Sequence, residues 1–337
     1  MSVHQKKILA IADAYIPADV VEAGTTALVD AGHDLQIETW GPATPEELQE
    51  INLAVEQRGA DAIVLPSKLQ ARVRQADVVI TQFAPIGSAL IESAQLAYIG
   101  VMRGGTENIA QAAADEHGVQ VVNTPGRNAR AVAEFTVGLI IGETRNIART
   151  HAAMRRHVWL KDFPNSGQVR ELEDRVLGVI GAGAIGEMVM RFMSGMDMQC
   201  QFYDPFRQAS DYGSKVDDLG ELMATSDVVS IHSRLGPDTH HLVSAEMLGL
   251  MKPTAVLVNT ARSGLVDEQA LVAALQAGRI MGAAIDTFDH EPLPADSPWL
   301  ELENATITSH LAGSTLDAFS KTPRLLSQRL LAIWEKG

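Results

Sequence analysis

Short apolar runs alternate with amphipathic stretches along most of this chain. In the first third, Ile8–Ala12, Asp61–Leu65, Val78–Thr81, Tyr98–Met102 and Val119–Asn123 are apolar and end at turn or polar residues, which predicts strands. Between them, Pro45–Arg58 predicts a helix, because Pro-Glu-Glu suits a helix N-terminus. Pro125-Gly126 breaks the chain. Ala129–Arg149 then predicts a long helix connecting two domains, with Val132, Phe135, Leu139 and Ile140 as its apolar positions.

A second series begins near Arg175. It predicts strands at Val176–Ile180, up to Tyr203, and at Asp227–Ile231, Ala255–Val258, Met281–Ile285 and Ala305–Thr308. Helical patterns separate most of them: Met188–Met196, Leu219–Ala224, Ala245–Met251 and Glu268–Ala277. A last helical segment spans about Thr315–Lys336. Alternation of this kind predicts an α/β protein with doubly wound parallel sheets.

Composition narrows the setting. A chain of 337 residues suggests two domains, at about 100–200 residues each. No run reaches the ~18 uninterrupted apolar residues of a transmembrane helix. The N-terminal apolar run after Lys6-Lys7 is cut by Asp13, which does not read as a signal peptide. The net charge of −15 argues against nucleic acid and anionic membranes as partners. It leaves room for a locally basic site taking a small anion. Cys200 is the single cysteine, so no intrachain disulfide can form, and a cytoplasmic protein is expected.

Chemistry enters at Gly181-Ala182-Gly183-Ala184-Ile185-Gly186, a GxGxxG turn between the strand Val176–Ile180 and a helical stretch from Glu187. Gly181 permits the tight turn, Gly183 lets backbone approach a pyrophosphate, and Gly186 allows close helix–strand packing. The helix N-terminus offers amides and a positive dipole end to the phosphates. Asp204 lies 18 residues after Gly186, near the ~20 expected for an acid that binds ribose hydroxyls and repels a 2′-phosphate. That favours NAD over NADP. Arg207 is close enough to tolerate the phosphate instead.

Ligands of doubly wound sheets bind beyond the carboxyl ends of the strands. The polar residues that follow the later strands are Asn259-Thr260-Ala261-Arg262, then Asp286 and Glu291, then His310. Hydride transfer at an oxygen-bearing carbon needs a group that exchanges the hydroxyl proton, and His310 suits it. Glu291 could stabilise the imidazolium. Arg262 could grip a carboxylate through two parallel hydrogen bonds.

These residues resemble the D-isomer specific 2-hydroxyacid dehydrogenase family, which includes the D-3-phosphoglycerate dehydrogenases. The resemblance runs from about Asp77 to the C-terminus. It rests on Val122-Asn123-Thr124-Pro125-Gly126, Val132-Ala133-Glu134, Gly181–Gly186, Asn259-Thr260-Ala261-Arg262-Ser263-Gly264-Leu265-Val266-Asp267-Glu268, Asp286-Thr287-Phe288-Asp289-His290-Glu291-Pro292-Leu293 and His310-Leu311-Ala312-Gly313. It implies two Rossmann-like or flavodoxin-like domains with a cleft between them. Residues 1–126 plus 314–337 would bind substrate, and 127–313 would bind NAD. It also implies catalysis by Arg262, Glu291 and His310. Thr260, Ala261 and Asp286 would hold the nicotinamide carboxamide, with Gly313 beside the cofactor, and the family is usually a homodimer through its NAD-binding domains. The expected reaction is reversible oxidation of a small D-2-hydroxy acid to its 2-oxo acid. An NAD(H)-binding regulator of the corepressor kind is the alternative.

Two stretches depart from the family pattern. Arg103 stands where a glycine is frequent in the substrate-carboxylate loop, followed by Gly104 and Gly105. Arg103 either contacts an anionic substrate or pairs with Glu107. Arg234 replaces a frequent proline after His232-Ser233. His232, His240 and His241 lack convincing metal-ligand spacing, so no metal is expected. Trp159 reads as an interdomain packing residue.

Overall fold

Strand β1 (Lys7–Ala12) pairs on one side with β2 (Asp34–Thr39) and on the other with β3 (Val78–Thr81). Adding β4 (Tyr98–Val101) and β5 (Gln120–Asn123) gives a parallel sheet in the order β2-β1-β3-β4-β5. Successive β1 side chains serve opposite faces, as pleating requires. Ile8 and Ala10 join one buried cluster, and Leu9 and Ile11 join the other. These assignments come from a computed structural model that describes residues 5–335.

The chain packs as two units. The first runs up to Asn128 and resumes at Thr315. Its C-terminal helix Thr322–Trp334 lies on helix Ala18–Asp30. A side chain at Gly24 would sit 2.6 Å from the Pro323 Cβ, and the Ser327 hydroxyl donates to the Gly24 carbonyl at 3.1 Å. Leu326 and Leu330 complete the cluster around Ile8 and Ile80.

The second unit, Ala129–Ser314, holds β6 (Val176–Ile180), β7 (Gln199–Tyr203), β8 (Ser214–Lys215), β9 (Val228–Ile231), β10 (Val256–Asn259), β11 (Gly282–Ile285) and β12 (Ala305–Ile307). Their order is β12-β11-β10-β9-β6-β7-β8, all parallel. This is a doubly wound α/β sheet, and its order reverses at β6, where the glycine turn lies.

Three expectations are corrected. Asp61–Leu65 is not a strand: Ala60–Ala62 forms a 3-10 turn and Val64 is 78% exposed. The Asp61 carboxylate instead accepts from the Ser88 amide and hydroxyl at 2.7 and 2.8 Å. Strand β2 takes that place in the sheet order. It is an edge strand with polar, partly exposed positions, so it lacks a continuous apolar run. The long helix from Ala129 ends at Thr144, because Asn146 adopts a left-handed φ of 55° before a second helix, Ile147–Arg155. The last segment is also two helices, Leu316–Ser320 and Thr322–Trp334. Lys336 lies outside the described residues. Among the described residues, no helix is long and apolar enough to cross a membrane.

Candidate active site

The turn after β6 is built for close approach. Gly181 has a φ of +94°, and an added side chain there would meet the Ser233 backbone nitrogen at 2.8 Å. Gly186 is closer still: its Cβ would lie 2.2 Å from the Gly181 carbonyl oxygen. Gly183 differs, because nothing lies within 4 Å of where its Cβ would be. The turn thus leaves open space above Gly183, at the start of helix Ala184–Ser194. A pyrophosphate fits that space, with the helix N-terminus turned to it. Ala184 is exposed and Ile185 partly buried in the first turn.

Asp204 follows β7 and reaches back to this turn. One carboxylate oxygen accepts from the Ala182 amide at 2.9 Å, and the other from the amides of Phe206 and Arg207 at 2.9 and 3.2 Å. A carboxylate has about four lone-pair sites, so one remains for a ribose hydroxyl. His232, beyond β9, accepts or donates through Nε2 to the Ser230 hydroxyl at 2.8 Å. Burial pushes its imidazole down to about 3, so it stays neutral. Arg234 is exposed in the following loop. Among the described residues, no group of three His, Cys, Asp or Glu side chains could hold a metal.

Three loops on the same sheet edge bring Arg262, Glu291 and His310 together. After β10, the buried Asn259 shapes the turn: its side-chain oxygen accepts from the Ala261 amide at 3.0 Å, and its Nδ2 donates to the Arg262 carbonyl at 2.9 Å. The Thr260 hydroxyl bonds the Thr136 hydroxyl at 2.8 Å. Arg262 is exposed, and its guanidinium donates only to the adjacent Ala261 carbonyl, at 2.7 Å, among the described hydrogen bonds. After β11, the Glu291 Oε1 accepts from the Phe288 amide at 2.8 Å. Its Oε2 lies 2.8 Å from the His310 Nδ1.

The carboxylate only accepts, so the Nδ1 carries the hydrogen, and the Nε2 has no partner among the described hydrogen bonds. The hydrogen bond to Glu291 raises the His310 pKa, and burial and the Arg262 charge oppose it. For Glu291, burial works to raise the pKa, but His310, the Phe288 amide and the Arg262 charge together bring it below the usual value. Arg262 is therefore near enough to act on both groups.

Asp286 does something the sequence did not disclose. It is fully buried, and its Oδ1 accepts from the Thr308 hydroxyl and the Leu311 amide at 2.5 and 2.9 Å. Its Oδ2 accepts from the Ala312 amide at 2.9 Å. These bonds bracket His310, which has a left-handed φ of 56°, a conformation costing about 1–3 kcal/mol for a residue other than glycine. Asp286 thus fixes the loop that carries the imidazole, while Gly313 lies just past it, partly buried. Asn259 likewise went unread as the residue shaping the Arg262 turn.

The first unit has its own strand-end cluster. Asp13 follows β1; burial pushes its carboxyl up to about 6, against the pull of the Ile16, Tyr15 and Phe83 amides and the Arg127 charge. Tyr15 packs edge-on to Phe83 at 5.6 Å and stacks on Phe319 at 5.0 Å. Arg103 lies over the Phe83 ring and Arg127 over Phe319. The Arg103 guanidinium bonds Asn52 at 2.6 Å and Glu56 at 2.5 Å and lies 3.4 Å from Glu107. Its charge is spent within its own unit. Gly104 and Gly105 follow it, and the Glu107 carboxylate lies over Gly105.

Trp159 is three-quarters exposed, which corrects its expected packing role. It lies in irregular chain after helix Ile147–Arg155, with Val158 and Leu160 also exposed.

A dinucleotide turn and a basic–acidic–imidazole set on one edge of a doubly wound sheet define an NAD-linked oxidoreductase type of site. Residues 137–312 match the family model described as D-isomer specific 2-hydroxyacid dehydrogenase, NAD binding domain. The chain belongs to that family, and its second unit is an NAD-binding domain. It is 37% identical over 270 residues to the D-3-phosphoglycerate dehydrogenase of Methanocaldococcus jannaschii, covering 78% of this chain and 51% of that protein. It is 35% identical over 301 residues to the glyoxylate reductase of Thermofilum pendens, covering 87% and 82%. The chain thus spans about half the length of the first relative and most of the second. Among solved structures, the TT0316 protein from Thermus thermophilus superposes with a TM-score of 0.73 at 28% identity, over 98% of this chain and 97% of that one.

Proposed function

We propose that this chain interconverts a D-2-hydroxy acid and its 2-oxo acid with NAD, using His310 as the acid–base. The observation that carries this reading is the His310–Glu291 pair, 2.8 Å apart, with Arg262 close enough to influence both. Bound NAD(H) supplies or accepts the hydride at C2. In reduction, the His310 Nε2 gives its proton to the oxygen that becomes the hydroxyl, and in oxidation it takes that proton back. Glu291 steadies the imidazolium through the Nδ1. Arg262 holds the substrate carboxylate through two of its N–H groups and draws electrons from the adjacent carbonyl. Asp286 keeps His310 in place.

The first unit is proposed to take the substrate, with the Gly104 and Gly105 backbone near its carboxylate. Arg103 was the expected side-chain contact. Its commitment to Asn52, Glu56 and Glu107 favours a substrate whose tail carries no second negative charge. Small uncharged tails, as in glyoxylate or hydroxypyruvate, suit that edge better than a phosphorylated one.

The test is NADH oxidation across glyoxylate, hydroxypyruvate, pyruvate, phenylpyruvate and 3-phosphohydroxypyruvate, run beside His310→Ala. Turnover of at least one acid, lost by about 10²- to 10⁴-fold in the variant, is expected. NADH binding with no turnover of any 2-oxo acid would instead fit a regulator.

The exposed apolar side chains Ile147, Met154, Val158, Trp159 and Leu160 support a homodimer formed through the NAD-binding unit. A cytoplasmic setting is proposed as well, supported by the single thiol, Cys200, which burial pushes up to about 11 and makes unreactive.

A further inference from the structure

NAD and NADP differ by one phosphate on the adenosine ribose 2′-oxygen, so the groups around Asp204 decide between them. Asp204 supplies the negative charge that disfavours the phosphate. A cation stands only three residues further on, at Arg207. The amides of Phe206 and Arg207 both donate to Asp204, so the loop folds around the carboxylate and starts the Arg207 side chain beside it. An arginine there is the usual means of accepting a 2′-phosphate.

In this chain the guanidinium is already paired. Its Nη2 lies 2.7 Å from the Glu187 Oε1, and its Nε donates to the Ala209 carbonyl at 3.1 Å. The other Glu187 oxygen accepts from the Ser210 hydroxyl at 2.9 Å. Glu187 is rigidly based: it sits in the first turn of helix Ala184–Ser194, where the helix dipole also favours a carboxylate, and its side chain is only 17% exposed. Lys215, the cation on neighbouring β8, is likewise engaged, by Gln208 at 3.0 Å and Asp217 at 3.2 Å.

We propose that Glu187 determines cofactor specificity by clamping Arg207 away from the ribose side of Asp204. The chain then discriminates against a 2′-phosphate twice: Asp204 repels it, and the cation that would neutralise it is held by Glu187 and the Ala209 carbonyl. The role is separable from Asp204, because it acts on NADPH affinity through Arg207 and leaves the ribose hydroxyl contact alone.

The test is equilibrium binding of NADH and NADPH, read by fluorescence titration, to the full chain and to Glu187→Gln, Arg207→Ala and the double variant. The glutamine keeps the size of the side chain and removes its charge. Glu187→Gln is expected to tighten NADPH by about 5-fold, in line with the ~1 kcal/mol upper value of an exposed ion pair, and to change NADH much less. Adding Arg207→Ala should return NADPH affinity to the starting value. Raising the salt should shrink the gain, because the new contact is a surface charge pair. An unchanged NADPH-to-NADH ratio in Glu187→Gln would overturn the proposal. So would a gain that survives removal of Arg207, since that gain would come from the lost glutamate charge alone.

Discussion

The His310 Nδ1 lies 2.8 Å from the Glu291 Oε2, and these two residues come from loops after different strands of one sheet. The pairing fixes the tautomer and raises the imidazole pKa. Its consequence has a sign in each direction of the reaction. Reduction needs protonated His310, so its rate is retained below the raised pKa and falls as pH climbs through it. Oxidation needs the neutral imidazole, so its rate falls as pH drops through the same value.

Glu291→Gln should therefore move both limbs to lower pH. It removes the hydrogen-bonded charge that raises the His310 pKa most and leaves burial and Arg262, which lower it, against the smaller upward pull of Asp286. Reductive kcat/KM would begin to fall at lower pH than in the parent, and oxidation would persist further into acid. Profiles of the two directions, measured on parent and variant, check this. Limbs that stay where they are would mean that the pair does not set the proton donor.

The glycines of the turn predict a contrast between folding and binding. Gly183→Ala adds a methyl group into open space, so the melting temperature should stay within about 2 °C of the parent. The same methyl occupies the approach path of a pyrophosphate, and NADH should bind about 10-fold or more weaker. Gly186→Ala pushes its Cβ to 2.2 Å from the Gly181 carbonyl, so it should unfold the unit more easily as well as weaken binding. Thermal melts beside NADH titrations separate the two. A Gly183→Ala variant that binds NADH normally would rule out the turn as the phosphate cradle.

Legibility in the sequence followed burial. Strands β6, β9, β10 and β11 are mostly buried and read as apolar runs. Strands β2 and β8 lie at sheet edges with polar exposed positions and gave no such run. Arg262, Glu291 and His310 were readable because a strand end is a place the sequence marks. What holds them was not: Asp286 bonds residues 22 to 26 positions away, and Arg103 finds Asn52 and Glu56 at 51 and 47. Such partnerships depend on how loops fold together, which residue spacing does not encode.

Ile147 and Met154 are seven residues apart and so share one face of helix Ile147–Arg155. Val158, Trp159 and Leu160, in the chain that follows, are exposed too, and the five together are the apolar surface proposed for the dimer. Burying that surface against a second copy predicts a dimer mass by light scattering. Trp159→Asp combined with Met154→Asp should shift the protein toward monomer, because a charge has no partner in an apolar interface. A monomeric parent would end this reading.

The commitment of Arg103 leads to a prediction about both stability and selectivity. Its guanidinium ties the loop after β4 to Asn52 and Glu56 on helix Pro45–Arg58, and its side chain is only 12% exposed. Arg103→Ala leaves Glu56 and Glu107 without their cation, so it should cost about 1–2 kcal/mol in a urea melt, more than an exposed pair and less than a fully buried one. If the charge is structural, KM for hydroxypyruvate should change by no more than about 3-fold. The parent should also prefer hydroxypyruvate over 3-phosphohydroxypyruvate by about 100-fold in kcat/KM, because the phosphate would need a cation already spent, a loss of the size of a charged hydrogen bond. Arg103→Ala that keeps its stability but loses the substrate, or a parent that prefers the phosphorylated acid, would return Arg103 to the substrate as a direct contact.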